Sequence, residues 1–244
     1  MPRLLVDTPL QLGALQLPAA AARHLRVLRL QPGDALTLFD GRGGEWDAVL
    51  RQAPDRVELL QHLPLERELA PAVTLALVMP ANERMDALVE KATELGAAAL
   101  QPLMSARSVL RLSAERAERR LAHWRGVAAA ACEQCGRNRL PELLPPLPLH
   151  AWLRGLPPVP PGQQRLLLAA PAQGQASSFG ALRGRLGQLH SVLALSGPEG
   201  GFDADELRLA QDCGFLPLRL GPRVLRADTA PLALLAAVAA AVGG

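Results

Sequence analysis

The stretch Leu195-Ser-Gly-Pro-Glu-Gly-Gly-Phe202 gathers residue types suited to gripping a ligand. An apolar run enters it, and Asp203-Ala-Asp-Glu206, the start of a capped helix, leaves it. It therefore occupies a strand-to-helix turn, where α/β sheets bind ligands beyond their strand ends. Gly197, Gly200 and Gly201 permit positive φ and close backbone approach, Pro198 stiffens the turn, and Glu199 sets a carboxylate among small neighbours. A plain tight turn is the competing reading, since the spacing matches neither the dinucleotide fingerprint nor a G-x-x-x-x-G-K-[ST] phosphate loop. A second glycine loop, Leu220-Gly-Pro-Arg-Val-Leu-Arg226, follows the last apolar strand in the same way. Two such loops at neighbouring strand ends would form a shared floor for a cofactor or nucleotide, with Arg223 and Arg226 as cationic forks beside it. Thr229 or Asp228 is placed to cap the C-terminal helix, with Pro231 in its first turn.

Cys132-Glu-Gln-Cys-Gly-Arg-Asn-Arg139 closes a long helical segment. Its Cys-x-x-Cys invites a metal or redox role, but a zinc site takes four ligands and no second pair or suitably spaced histidine follows. Both sulfurs therefore read as helix burial, and no metal is expected. Gln134, Arg137 and Asn138 concentrate polar groups at that helix end. Glu94 in Lys91-Ala-Thr-Glu-Leu-Gly96 and Arg107 after Leu103-Met-Ser-Ala are further polar candidates; each is also what a solvated face or a helix-end ion pair would look like.

The elements that must position these residues fall into two patterns. Strands Ala35–Phe39, Glu45–Leu50 and Arg56–Leu60, with a helix over Ala19–Leu28 and breaks at Pro32-Gly33-Asp34 and Asp40-Gly41, predict a small β-barrel in residues 1–70. From Pro71 onward strands and helices alternate. Val73–Met79, Leu100–Leu103, Arg165–Ala170, Ser191–Ser196 and Leu216–Leu220 read as strands. Met85, Leu88, Val89, Ala92 and Leu95 share a helix face closed by Gly96. A long helix runs from a Ser113 cap to about Gln134, and another from Asp203 to Gly214. Pro141–Gly162 is a proline-rich connection around a short Ala151–Leu153 element. This predicts an α/β domain over residues 71–244 with a mainly parallel sheet.

Composition agrees with a folded protein: 244 residues, 49% hydrophobic and 20% charged, exclude disorder, collagen and a disulfide-stapled miniprotein. Lys occurs only at Lys91, and Tyr and Ile are absent, so Arg carries nearly all the basic charge. That weakens any argument from Arg abundance, and a net charge of +3 permits an anionic partner without requiring one. The opening MPRLLVDTPL has no apolar secretory core, and Ala230–Gly244 falls short of the ~20 residues of a membrane span. A soluble, cytoplasmic protein with no membrane contact is expected.

Taken together, these segments closely resemble the 16S ribosomal RNA uridine-N3 methyltransferases, the RsmE family, within the SPOUT class of S-adenosylmethionine enzymes. The resemblance is carried by KATELG from Lys91, PLMSARS from Pro102, ACEQCGRNRLPE from Ala131, LSGPEGGF from Leu195 and LGPRVLRADT from Leu220. HLRVLRLQPGDALTLFDG from His24 resembles the family's N-terminal portion. What this implies is a PUA-like β-barrel for RNA over 1–70 and a SPOUT-type methyltransferase domain over 71–244, tied in a deep trefoil knot that connection rules alone would argue against. It also implies a homodimer with the active site close to the subunit boundary. The partner would be 16S rRNA in the small ribosomal subunit, with uridine 1498 methylated at uracil N3. The methyl donor, S-adenosyl-L-methionine, would be held by Leu195, Ser196, Gly197, Pro198, Glu199, Gly200 and Gly201 and by Leu220, Gly221, Arg223, Leu225 and Arg226. The loop after Ala169-Ala170 would contribute. The family usually reads Arg, Thr or Met, then Glu-Thr after its second loop; here the run is Arg226-Ala227-Asp228-Thr229, a carboxylate one methylene shorter.

Methylating uracil N3 requires removing its proton and facing it in line with the methyl carbon. An Arg can stabilise the uracil anion's oxygens, Arg226 first and Arg137 second by position, and Glu94, Glu199 or Asp228 can accept the proton. The base must be unpaired or extruded to expose N3. Arg23, His24, Arg26, Arg29 and Arg42 could hold surrounding phosphates, an ordinary solvated surface being the alternative. Two other functions fit the same residues: a related knotted enzyme acting on a ribose 2′-oxygen or another base, and a non-catalytic RNA-binding protein with structural glycine loops.

Overall fold

Short half-buried segments build the first of two units into which the chain divides, Met1–Glu68 together with Ala129–Leu140. The computed structural model describes residues 1–53, 55–80, 84–107, 112–168 and 177–243. In chain order the first unit holds β1 (Arg3–Leu5), β2 (Gly13–Gln16), α1 (Ala19–Val27), β3 (Ala35–Phe39), β4 (Glu45–Leu50) and β5 (Arg56–Leu63). The strands form a five-stranded sheet in the order β1-β3-β4-β5-β2, with β1 parallel to β3 and the other pairs antiparallel. Leu36, Leu38, Ala48, Leu50, Val57 and Leu59 share one core with Ala21, Ala22 and Leu25 of α1. Those three helix residues fall at i, i+1 and i+4, so Arg23 and Arg26 face outward. Just past the C-cap Leu28 the chain turns at Arg29, a non-glycine residue at φ 56°.

A polar network closes this unit around the Cys132–Arg139 motif. Arg3 donates to Glu45 Oε2 and to Asn138 Oδ1, both at 2.6 Å. Arg67 donates to the same Glu45 oxygen at 3.0 Å and to the Gly136 carbonyl at 2.9 Å, while Asn138 donates to the Leu65 carbonyl at 2.8 Å. Burial works to raise the Glu45 carboxyl, but hydrogen bonds from Arg67, Arg3 and Asn138 outweigh it and hold the pKa at about 2.

The second unit, Leu69–Ala128 with Pro141–Gly244, is an α/β layer structure. It holds β6 (Ala72–Val78), α2 (Arg84–Glu94), β7 (Ala97–Met104) and the start of α3 (Ala114–Cys135). Then come β8 (Glu142–Leu143), β9 (Leu147–Pro148), α4 (Leu149–Arg154), β10 (Gln163–Leu168), β11 (Ser177–Ser178) and α5 (Phe179–Arg183). It ends with β12 (Ser191–Ser196), α6 (Ala204–Asp212), β13 (Leu216–Arg219) and α7 (Thr229–Val242). The sheet order is β11-β13-β10-β12-β6-β7-β8, with β9 also on β7, and every pair is parallel. Period-two alternation sorts β6 between two cores. Val73, Leu75 and Leu77 pack with Met85, Leu88 and Val89 of α2 and Leu234, Leu235 and Val238 of α7. Ala76 and Val78 pack with Leu149, Leu153, Ala210 and Phe215. Burial on both faces is why these strands read as unbroken apolar runs.

The expected mainly parallel α/β sheet and small N-terminal β unit are present, with three local differences. The five short strands β1, β2, β8, β9 and β11 carry too few residues for a readable alternation. The strand expected over Arg165–Ala170 is seen to Leu168, and its last two residues lie outside those described. Asp228 stands at the N-cap of α7, but its side chain makes no capping hydrogen bond. Its backbone is already helical, at φ −81° and ψ −26°, whereas a capping side chain needs an extended residue. By contrast, Asp203 at ψ 174° forms the full capping box with Glu206.

Candidate functional site

Strands β10 and β12 end level with each other, Leu168 opposite Ser196 in the register. Both residues line one cavity of about 400 Å3 beyond the strand ends. The loop after β12 supplies Gly197, Pro198, Glu199 and Gly201 to its wall, and the loop after β13 supplies Val224, Leu225, Arg226 and Ala227. Ser196 Oγ donates to the Ala227 carbonyl at 3.1 Å and so joins the two loops directly. The two glycine-bearing turns thus enclose a single pocket, with Phe202, Leu207 and Ala230 completing it.

The glycines do different work. A Cβ on Gly197 would lie 2.7 Å from the Phe202 ring, so any side chain there would force the ring to shift. Gly201 adopts φ 69° and its N–H donates to the Pro198 carbonyl at 2.9 Å, closing a tight turn that favours glycine. Gly200 needs neither property, but its carbonyl accepts a 2.9 Å hydrogen bond from Arg107 Nη1. Behind the loop, the fully buried Glu206 accepts from the Ala106 N–H at 2.8 Å and the Asp203 N–H at 3.0 Å. The segment after β7 and the first turn of α6 thereby brace the glycine loop.

Of the residues expected to hold a methyl donor, Ser196, Gly197, Pro198, Glu199, Gly201, Leu225 and Arg226 line the pocket. Leu195, Gly200, Leu220, Gly221 and Arg223 lie outside its lining: Leu195 is fully buried in one core and Leu220 packs against the other. The expected contribution from the loop after Ala169-Ala170 falls outside the described residues. Leu168, Phe202, Leu207, Ala227 and Ala230 line the pocket as well, and their types carry no chemical signal.

The five candidate catalytic residues are not brought to one place. Arg226 is exposed at the pocket wall and its guanidinium makes no ion pair with the described residues. Glu199 lines the same pocket, and Asp228 follows Ala227 of its wall. One cation, Arg84 at the start of α2, lies 3.8 Å from Glu199 Oε1 and 3.7 Å from Asp228 Oδ2. Glu94 stands at the opposite end of α2 from Arg84, about 15 Å along the axis at 1.5 Å per residue, paired with Lys91 Nζ at 2.7 Å. Arg137 belongs to the first unit, 4% exposed, where its guanidinium pairs with Glu68 through two nitrogens.

In the first unit, Arg23, Arg26, Arg29 and Arg42 are exposed, and His24 faces Glu133 at 3.6 Å. Cys132 is buried against the Arg139 carbonyl, and desolvation pushes its thiol up to about 12, a setting for packing rather than thiolate chemistry. No cluster able to hold a metal ion occurs among the described residues, and none of their helices is long and apolar enough to cross a membrane.

Comparison with known proteins adds an independent line. A family model for an RNA methyltransferase domain matches residues 67–239, and one for an RNA methyltransferase PUA domain matches residues 17–59. Ribosomal RNA small subunit methyltransferase E of Synechocystis sp. is 35% identical over 238 residues, covering 96% of this chain and 76% of the relative. The Bacillus subtilis protein of the same name is 31% identical over 220 residues, covering 88% and 84%. A crystal structure of the Neisseria gonorrhoeae protein of that name, bound to S-adenosyl methionine, superposes with a TM-score of 0.85 at 34% identity, covering 98% of this chain and 97% of the other.

Proposed function

The chain belongs to the ribosomal RNA small subunit methyltransferase E family of RNA methyltransferases, and on that footing we propose that it methylates N3 of a uridine in 16S rRNA from S-adenosyl-L-methionine, by resemblance uridine 1498. It is an S-adenosylmethionine-dependent rRNA methyltransferase. The observation that carries the reading is the single pocket shared by the two glycine loops. Its volume, about 400 Å3, lies in the range of small-molecule sites. Its walls suit the donor: apolar Leu168, Phe202, Val224 and Leu225 for a purine and an alkyl chain, Ser196 and glycine-loop backbone for polar edges.

When bound, the donor supplies a methyl carbon already activated by a positive sulfonium. The chain's own residues position and deprotonate. Arg226, at the pocket wall and without an ion pair among the described residues, is placed to stabilise negative charge on the uracil oxygens as N3 loses its proton. Asp228 or Glu199 accepts that proton: Glu199 lines the pocket and Asp228 adjoins its wall, whereas Glu94 stands at the far end of α2. The N3–C bond forms as the S–C bond breaks, leaving the uncharged thioether product and a proton on the carboxylate.

The same reading gives residues 1–70 the role of a PUA-like RNA-binding domain, with Arg23, His24, Arg26, Arg29 and Arg42 toward phosphates. It gives residues 71–244 a knotted SPOUT-type methyltransferase domain acting as a homodimer in the cytoplasm. Insertion of β12 between β6 and β10 is the strand arrangement such a knot would have to accommodate. Calorimetric titration with S-adenosylmethionine tests the site: saturable binding that Gly197→Ala weakens is expected, and no binding would leave the loops merely structural. Digestion and mass spectrometry of the product separates N3 methylation from ribose 2′-O or another base.

A further inference from the structure

We propose that Arg84 is a positioning residue for this reaction, holding the carboxylates of Glu199 and Asp228 together across the two pocket loops. The proposal rests on the methyltransferase reading above. Arg84 opens α2, which follows β6, and β6 is the direct neighbour of β12 in the sheet. The side chain therefore reaches the two carboxylates from a third strand end, independent of both glycine loops. Its Nη1 lies 3.8 Å from Glu199 Oε1 and 3.7 Å from Asp228 Oδ2. Both distances are inside ion-pair range and outside hydrogen-bond reach, so the guanidinium is attracted to both acids and fixed on neither.

That balance suits a site where one carboxylate must change charge. Remove the cation and the two carboxylates lose the charge they share, so this link between the loops that form the pocket is gone. With Arg84 present, either acid can accept the N3 proton while the guanidinium keeps the other as its partner. Asp228 reaches this cation despite being one methylene shorter than the family's usual Glu. With its backbone already helical, Asp228 does not cap α7, and its carboxylate is left to face Arg84.

The test is single-turnover methylation at saturating RNA and donor for Arg84→Ala, Arg84→Gln and Arg84→Lys, each also combined with Glu199→Gln and Asp228→Asn. Arg84→Ala is expected to lower the rate about 10- to 100-fold, the upper end being the scale of a misplaced reacting group, with KM for RNA and donor affinity within about 3-fold of wild type. Arg84→Lys should recover most of the loss and Arg84→Gln should not. The loss should also shrink in whichever acid variant retains turnover, because the cation then has one partner fewer to hold. Thermal unfolding checks that the variants fold; should Arg84→Ala fail to fold, the Lys and Gln variants decide. Wild-type rates in Arg84→Ala, equal losses in Lys and Gln, or fully additive losses with both acid variants would overturn the proposal alone. Wild-type protein that transfers no methyl group would overturn the methylation reading and this proposal with it.

Discussion

Gly197→Ala places one methyl group against the most constrained wall of the pocket. The added Cβ would lie 2.7 Å from Phe202 Cε2, 3.0 Å from Cζ and 3.1 Å from Cδ2, where relaxed carbon contacts sit at about 3.5–4.0 Å. Phe202 is 9% exposed and packs with Leu195 and Phe215 on its core side, so the open direction for the ring is toward the pocket it lines. Relieving an overpacked contact costs about 1–3 kcal/mol. Paid wholly in donor affinity, that is roughly 5- to 150-fold; any part taken up by the fold shows instead as lower stability. Titration with S-adenosylmethionine and urea unfolding of the same variant measure both shares. Gly200→Ala is the matched control, because its Cβ would meet only Arg107, at 3.8 Å, and no positive φ is involved. It should leave stability within about 0.5 kcal/mol and affinity near wild type. Wild-type affinity and stability in Gly197→Ala, or equal damage from Gly200→Ala, would refute the packing argument.

Arg226→Ala should abolish methylation with the fold and melting temperature intact; wild-type turnover would remove Arg226 from the chemistry. Glu45 gives a pH signature: its carboxyl is held at about 2 against an ordinary 4.5, so its contribution is complete above about pH 4.5 and is lost as pH falls toward 2. The amount at stake is about 3 kcal/mol, and Glu45→Gln should flatten urea-measured stability across that window; an unchanged profile would count against the network. Arg29 holds a left-handed backbone at φ 56°, so Arg29→Gly should stabilise the first unit by about 1 kcal/mol in chemical denaturation, and a loss of stability would contradict it. Charge reversal at Arg26 and Arg29 together should weaken RNA binding and flatten its salt dependence, whereas unchanged affinity at several salt concentrations would assign both to plain surface.

What local chemistry specifies could be read directly. Ser191–Ser196 is a strand over the very residues its apolar run marks, Asp203 and Glu206 form the capping box their spacing announces, and Gly96 follows α2 at φ 90°. What depends on distant partners could not. β1 is three residues long and exists because Arg3, Leu4 and Leu5 pair with Thr37, Leu38 and Phe39. Arg137 and Asn138 looked like chemistry because they are polar groups crowded at a helix end. Their partners, Glu68, Arg3 and the Leu65 carbonyl, lie far off in the sequence and turn that polarity into scaffolding. Arg84 shows the opposite case: a lone arginine at a helix start gives no sign that carboxylates more than a hundred residues away will gather around it. The glycine loops were legible because turn chemistry is local, while their union around one pocket depends on strand order, which no local pattern encodes.

We propose, above all, that the pocket between these loops delivers a methyl group to uracil N3 in small-subunit RNA. Small ribosomal subunits lacking the modification, incubated with the protein and methyl-labelled S-adenosylmethionine and then digested for mass spectrometry, test it most directly. One labelled uridine carrying the methyl group on N3 is the predicted result. Label on a ribose 2′-oxygen or another base, or no label from protein that binds the donor, would contradict it.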